Sequence, residues 1–197
     1  MRFGTPIWLA AGLLAAALSG PAHAESQLKG LLMVGVTNGG TTLASGTYTS
    51  GDTWRIRSGG QLHFAFGLEV PTFSLDKNAP NMSVQTIVGY HVDQAKAASG
   101  DITFGRVPVE LVLSWLPTPE LRLGVGVRKS FHAELSSEGT GAMGNYAFRT
   151  SPGRVLQMMV CSPRGSGLVL RRVLETYHFQ HTPINANHTE VGLVTLF

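Results

Sequence analysis

The stretch Leu121-Arg122-Leu123-Gly124-Val125-Gly126-Val127-Arg128-Lys129-Ser130-Phe131-His132 decides the fold. Its odd positions are apolar apart from Lys129, and its even positions are Arg, Gly, Ser or His. Successive side chains of an extended strand point to opposite faces, so this segment has one greasy face and one small or polar face.

Working outward, the same split recurs over 106–115, where Val107, Val109, Leu111, Leu113 and Trp115 oppose Arg106, Pro108, Glu110, Val112 and Ser114. Over 61–70, Leu62, Phe64, Phe66, Leu68 and Val70 oppose Gln61, His63, Ala65, Gly67 and Glu69. Over 83–93, Val84, Thr86, Val88, Tyr90 and Val92 oppose Ser83, Gln85, Ile87, Gly89, His91 and Asp93. Segments 28–37, 154–161, 166–177 and 188–197 complete a set of eight, although Arg171 and Arg172 place an arginine on each face of the seventh. An even number of period-two segments without helical periodicity predicts an all-β chain, a closed antiparallel transmembrane barrel.

The connections carry an independent argument. With the N-terminus on the inner side, the outer connections are 38–59, 94–103, 133–153 and 178–187, all long. Two inner ones, Pro117-Thr118-Pro119 and Ser162-Pro163-Arg164-Gly165, are tight, while the third, 71–82, is longer. Long outer loops and short periplasmic turns are the habit of outer-membrane barrels. Aromatics fall near the expected rims, with Tyr90, Phe104, Phe131, Tyr177 and Phe179 outside and Phe73, Trp115 and Phe197 inside. Ring edges favour the headgroup region of a bilayer.

Composition agrees. Charged residues make up 14% of the chain, against about 25% in soluble domains. No Lys/Arg run suggests nucleic acid. At the N-terminus Arg2 precedes an apolar run over 7–18, then Ser19-Gly20-Pro21 and the small-x-small site Ala22-His23-Ala24. This pattern predicts a cleaved secretory signal over 1–24, leaving 25–197 as one barrel domain in the bacterial outer membrane. Cys161 is the single cysteine, so no internal disulfide forms, and it reads as a small wall residue.

On the inward face the expected polar network joins Glu110 to Arg128, with Arg122 and Arg106 as further partners. If Leu116 pairs with Glu120 across the Pro117-Thr118-Pro119 turn, Glu110 lies opposite Gly126 and diagonal to Arg128.

The terminal segment Val191-Gly192-Leu193-Val194-Thr195-Leu196-Phe197 alternates apolar residues and ends in Phe. With this segment, and with Gly39-Gly40-Thr41-Thr42-Leu43 followed by Tyr48-Thr49-Ser50-Gly51, the chain resembles the small bacterial outer-membrane barrels of the OmpX and OmpW kind. The resemblance implies that Phe197, Leu193 and Val191 act as an assembly signal read by the barrel-assembly machinery. It implies contact with outer-membrane lipid and attaches no particular activity.

An enzymatic reading starts from Ser130, His132 and Glu134, which share one face if the strand is regular and could form a hydrolytic set. Their Ser-x-His order reverses the His-x-Ser of lipid A deacylases, and the regular register puts them in the lumen. No catalytic site is assigned. His63, His91 and Asp93 also face inward but lack a recognisable ligand spacing, and His178, His181 and His188 read as a solvated outer loop, so no metal or cofactor is assigned. Gly39-Gly40 lacks the context of a phosphate-binding loop. The function expected is structural or surface-interacting, with outer loops open to an extracellular ligand. The competing class is a soluble periplasmic lipocalin-like barrel, in which the apolar faces would point inward to line a cavity.

Overall fold

The structure, a computed structural model, describes residues 28–48, 50–71, 81–97, 100–139 and 144–197. The expected signal 1–24, Phe73 and most of the connection after Pro71 lie outside the described residues. The strands are β1 (Lys29–Gly39), β2 (Thr42–Thr47), β3 (Thr53–Arg57), β4 (Gln61–Pro71), β5 (Asn81–Ala97), β6 (Gly100–Leu116), β7 (Leu121–Gly139), β8 (Tyr146–Thr150), β9 (Gly153–Cys161), β10 (Ser166–Leu174), β11 (Thr176–Phe179), β12 (Thr182–Asn185) and β13 (His188–Leu196).

Eight of them close a ring in the order β1-β4-β5-β6-β7-β9-β10-β13 and back to β1, with every pairing antiparallel. Closure leaves no sheet edge within the wall. Among the described residues no helix is long and apolar enough to cross a membrane. The barrel instead shows the surface of one that crosses with strands. Leu32, Val34 and Val36 of β1, Phe64 and Phe66 of β4, Leu111 and Leu113 of β6, Val125 and Val127 of β7, and Leu168 of β10 all point outward and are exposed. Their neighbours in sequence point inward, and many are polar yet buried, including His63, Gln85, Glu110, Arg128 and Arg171. A lipocalin-like interior would reverse these faces.

Three features of the backbone differ from the sequence reading. The outer connections are long, but much of their length is paired strand. β5 and β6 run on to Lys96↔Asp101 and Ala97↔Gly100, and β11 and β12 pair up to Phe179↔Thr182. The β2–β3 hairpin packs into the outer mouth, where Ala44 and Ile56 join Phe104, Ala133, Leu135, Tyr177 and Ala186 in an apolar cluster.

The second difference is register. Glu110 lies directly opposite Arg128, two residues from the expected pairing, because the inner turn consumes two residues beyond Pro117-Thr118-Pro119: the last β6–β7 pair is Trp115↔Leu123, which sets Leu116 against Arg122 and not Glu120. A hydrogen bond from the Leu121 amide to the Thr118 carbonyl, 3.3 Å, closes it.

The third is a bulge. Gly105 pairs with Glu134 but Val107 pairs with Phe131, and His132 takes a positive φ of 50°. One extra residue on β7 swaps the faces beyond it. Ser130 therefore points inward, whereas His132 and Glu134 are exposed outside, so the three residues expected on one face are split. The swap also turns Ala133 and Leu135 inward, where they are buried in the outer cluster. The physical reason lies outside the wall: below the bulge the apolar residues face outward, and above it they face the molecule's own core.

The aromatic rims are corrected too. Tyr90, Phe131, Trp115 and Phe197 are exposed on the outside wall. Phe104 and Tyr177 are instead fully buried in the outer cluster, and Phe179 packs on Tyr146 and Phe148.

Candidate functional site

The lumen is filled in layers. Toward the inner end Leu31, Met33, Ala65, Ile87, Val112, Met159, Cys161, Val169, Val194 and Leu196 form an apolar plug, and the Phe104, Tyr177 and Ile56 cluster closes the outer end. Between these two dry layers lies a band of charge. Inward Gly126 lets the walls approach, since a Cβ there would lie 2.8 Å from the Val112 side chain.

Glu110 of β6 is the centre of that band. Its Oε1 accepts from Arg128 Nη1 at 2.9 Å, and its Oε2 accepts from Arg171 Nη2. Arg171 Nη1 also donates to Glu190 Oε2 at 3.0 Å, and the other oxygen of Glu190 is bonded to His63 Nδ1 at 2.9 Å. Arg128 Nε lies 3.2 Å from Glu175 Oε2, which accepts from the Tyr177 hydroxyl at 3.0 Å. The chain His63, Glu190, Arg171, Glu110, Arg128, Glu175, Tyr177 thus crosses the barrel on side chains from β4, β13, β10, β6, β7 and β11, with Glu175 between β10 and β11.

Of the sequence-predicted network, Glu110 and Arg128 meet, whereas Arg122 and Arg106 do not join them. Arg122 sits nearer the inner end with its Nε 3.4 Å from Glu69 Oε1, and Gln85 donates to the second oxygen of Glu69 at 2.7 Å. Arg106 lies near the outer end. Its Nη2 donates to His91 Nδ1 at 2.6 Å, and its guanidinium stands 5.2 Å from the Phe104 ring centroid and 5.8 Å from that of Tyr177. An arginine has no lone pair to offer, so His91 Nδ1 is the acceptor, and His91 Nε2 donates to Thr37 Oγ1 at 2.7 Å.

His188 is not a loop residue: it is fully buried at the start of β13. Its ring centroid lies 5.0 Å from that of His91, which lies 5.4 Å from that of His63. His188 Nδ1 donates to the Ala186 carbonyl at 2.8 Å. Among the described residues no group of three His, Cys, Asp or Glu has the geometry to hold a metal. Ser130 sits 3.5 Å from the Tyr177 hydroxyl and is separated by the bulge from His132 and Glu134.

Sequence reasoning missed Arg171, Glu175 and Glu190 as members of the network. Glu190 alternates with Val191 and could have been found by running the last strand's period back one step. Arg171 could not, because Arg172 beside it offers the same side chain to the other face.

The three terminal residues singled out as an assembly signal all face outward: Val191 is 53% exposed, Leu193 60% and Phe197 76%. Phe197 also seals the wall. Its amide donates to the Gly30 carbonyl at 3.0 Å and its carbonyl accepts from the Gly30 amide at 2.7 Å. The ring covers Gly30, where a Cβ would lie 2.6 Å from Phe197 Cζ. Cys161 is buried at the inner mouth, beside a cavity of about 620 Å³ that Lys29, Glu120, Arg122, Arg164 and Phe197 also line.

No family model matches the chain, and no curated protein matches it. Among solved structures it is similar to the outer membrane protease OmpT from Escherichia coli, at 10% identity and a TM-score of 0.40, over 89% of this chain and 99% of that one. The barrel assignment rests on the strand pairing above and not on this likeness.

Proposed function

We propose that this protein is a small outer-membrane barrel with a closed lumen, a structural or surface-interacting component of the bacterial envelope whose contacts are made by its outer wall and outer hairpins. The observation that carries this reading is the reversal of faces. Apolar side chains cover the outside of a ring whose inside holds buried, mutually neutralising Arg and Glu residues. In water such a surface would associate, whereas in a bilayer it is the solvated state. Eight strands enclose an interior just wide enough for side chains, and here the side chains are linked by ion pairs from wall to wall. Solute flow through the barrel is therefore not the role favoured.

The same reading takes 1–24 as an export signal and Val191, Leu193 and Phe197 as the handle of the barrel-assembly machinery, as in OmpX- and OmpW-like barrels. The testing experiment is membrane fractionation of expressed protein, followed by gel migration with and without boiling. A folded membrane barrel resists cold detergent and changes mobility on heating. Recovery in the soluble fraction, with no heat-dependent shift, would reject the proposal.

A further inference from the structure

We propose that Lys129, Arg154 and Arg172 form a lateral docking site on the outer wall for the phosphate groups of an outer-leaflet glycolipid. This inference rests on the membrane reading above. The register places the three together. Arg154 of β9 lies directly opposite Val127 of β7 and Leu174 of β10. Lys129 is two residues beyond Val127, and Arg172 is two residues before Leu174, so each is a diagonal neighbour of Arg154, at about 7–8 Å. Arg154 and Arg172 are exposed on the face that carries Leu156, Val127 and Leu174, and Lys129 is half-buried there.

Their height fits a headgroup. Lys129 is eight residues along from Leu121, Arg154 seven before Cys161, and Arg172 six beyond Ser166. At roughly 2.5 Å of rise per residue in a tilted strand, they stand ~15–20 Å above the inner edge of an apolar band ~25 Å tall. Long cationic side chains extend further toward the interface from there. Just beyond the band Arg149 of β8 lies directly opposite His178 of β11, continuing the basic strip.

The charges are not answered by the protein. Among the described residues none of the three belongs to an ion pair, whereas the inward Arg122, Arg128 and Arg171 are each held by a carboxylate. Lys129 Nζ donates to the Thr150 carbonyl and Arg172 Nη1 to Thr189 Oγ1, at 2.9 Å for the latter, both neutral acceptors. The outward positions of β7 up to Phe131, and those of β9, β10 and β13, carry no Asp or Glu. The opposite flank carries no such cations at this height. Val36, Leu62 and Tyr90 occupy it, and Lys96, further up, faces Asp101. A one-sided cluster of unpaired cations on a lipid-facing wall is stabilised by anions in the surrounding leaflet, and charge-assisted bonds to phosphate supply them.

The test compares wild type with the triple variant Lys129→Gln, Arg154→Gln, Arg172→Gln, and with Arg154→Gln alone, each refolded into phosphatidylcholine vesicles. Bisphosphorylated lipid A is then titrated in, and the amount retained by the extracted barrel is measured. All three proteins are expected to insert and to show the heat-dependent gel shift. Wild type is expected to retain the lipid about tenfold more tightly than the triple variant, the single variant is expected to fall between, and dephosphorylated lipid A is expected to abolish the difference. Equal retention by inserted wild type and variants overturns the site while leaving the membrane reading intact. Failure of wild type to insert overturns both. Inorganic phosphate competing at the same concentration as lipid A would show a free-anion site and overturn the lipid assignment.

Discussion

At the scale of single residues, Glu110 has the most demanding surroundings in the molecule. It is 2% exposed and answers two arginines, Arg128 and Arg171. A pair of charges this close attracts by several kcal/mol at an effective dielectric near 20, but removing both from water takes back most of that. The net worth of the whole network is therefore small, while the loss of one member is expensive. Glu110→Gln removes the carboxylate that bridges Arg128 and Arg171, leaves each with one counter-charge, Glu175 and Glu190 respectively, and is expected to destabilise the barrel by about 1–3 kcal/mol. In a double-mutant cycle with Arg128→Gln, followed by urea unfolding in detergent, a coupling of about 1–3 kcal/mol is expected. Additive effects would mean that the 2.9 Å contact contributes nothing specific. Phe197 gives the second residue-scale test. Its ring covers Gly30 and its backbone ties the last strand to the first, so Phe197→Ser is expected to lower the amount of folded protein in the outer membrane several-fold. Normal levels of heat-modifiable Phe197→Ser would remove it from any role in assembly.

At the scale of elements, the bulge in β7 marks where the wall changes environment. Below His132 the odd positions face out, and above it Ala133 and Leu135 face in. Deleting His132 removes the extra residue, so Ala133 follows Phe131 directly; Ala133 and Leu135 still face in, Glu134 still faces out, and Gly105 can keep Glu134 opposite it. The expected outcome is a heat-shifted barrel whose outer segments near β7 and β8 resist protease as in wild type. New cleavage confined to those segments would show that the outer cluster depends on the bulge itself. This element also shows where sequence reading stops. The period of two was legible in β4, β5, β6 and β7 because it is a property of each chain segment alone. The bulge was not, because the apolar odd positions run through Phe131, Ala133 and Leu135 without a break. Register depends on how many residues a turn consumes, and Pro117-Thr118-Pro119 does not announce that Glu120 and Leu121 also stay out of the β6–β7 pairing. His188 was misplaced for a related reason: polar residues around 178–187 look like a solvated loop until β11 and β12 are seen to pair and carry His188 into the lumen.

At the scale of the whole molecule, the outside of the barrel is matched to hydrocarbon and the inside to itself. Val125, 58% exposed on the belt, is expected to lose about 2–4 kcal/mol when changed to Arg if it sits near the bilayer midplane. Reversible folding into lipid vesicles measures this directly, and a cost near zero would move β7 to the interface. The ring itself is closed by β1 against β13, the first strand against the last. Glu190, which satisfies both His63 and Arg171, arrives with that last strand, 127 residues after His63. A chain still lacking β13 leaves Arg171 with Glu110 as its one carboxylate and His63 with none, and it has two open edges where the finished wall has none. Time therefore enters the design. The step that seals the wall is also the step that completes the internal charge pairing.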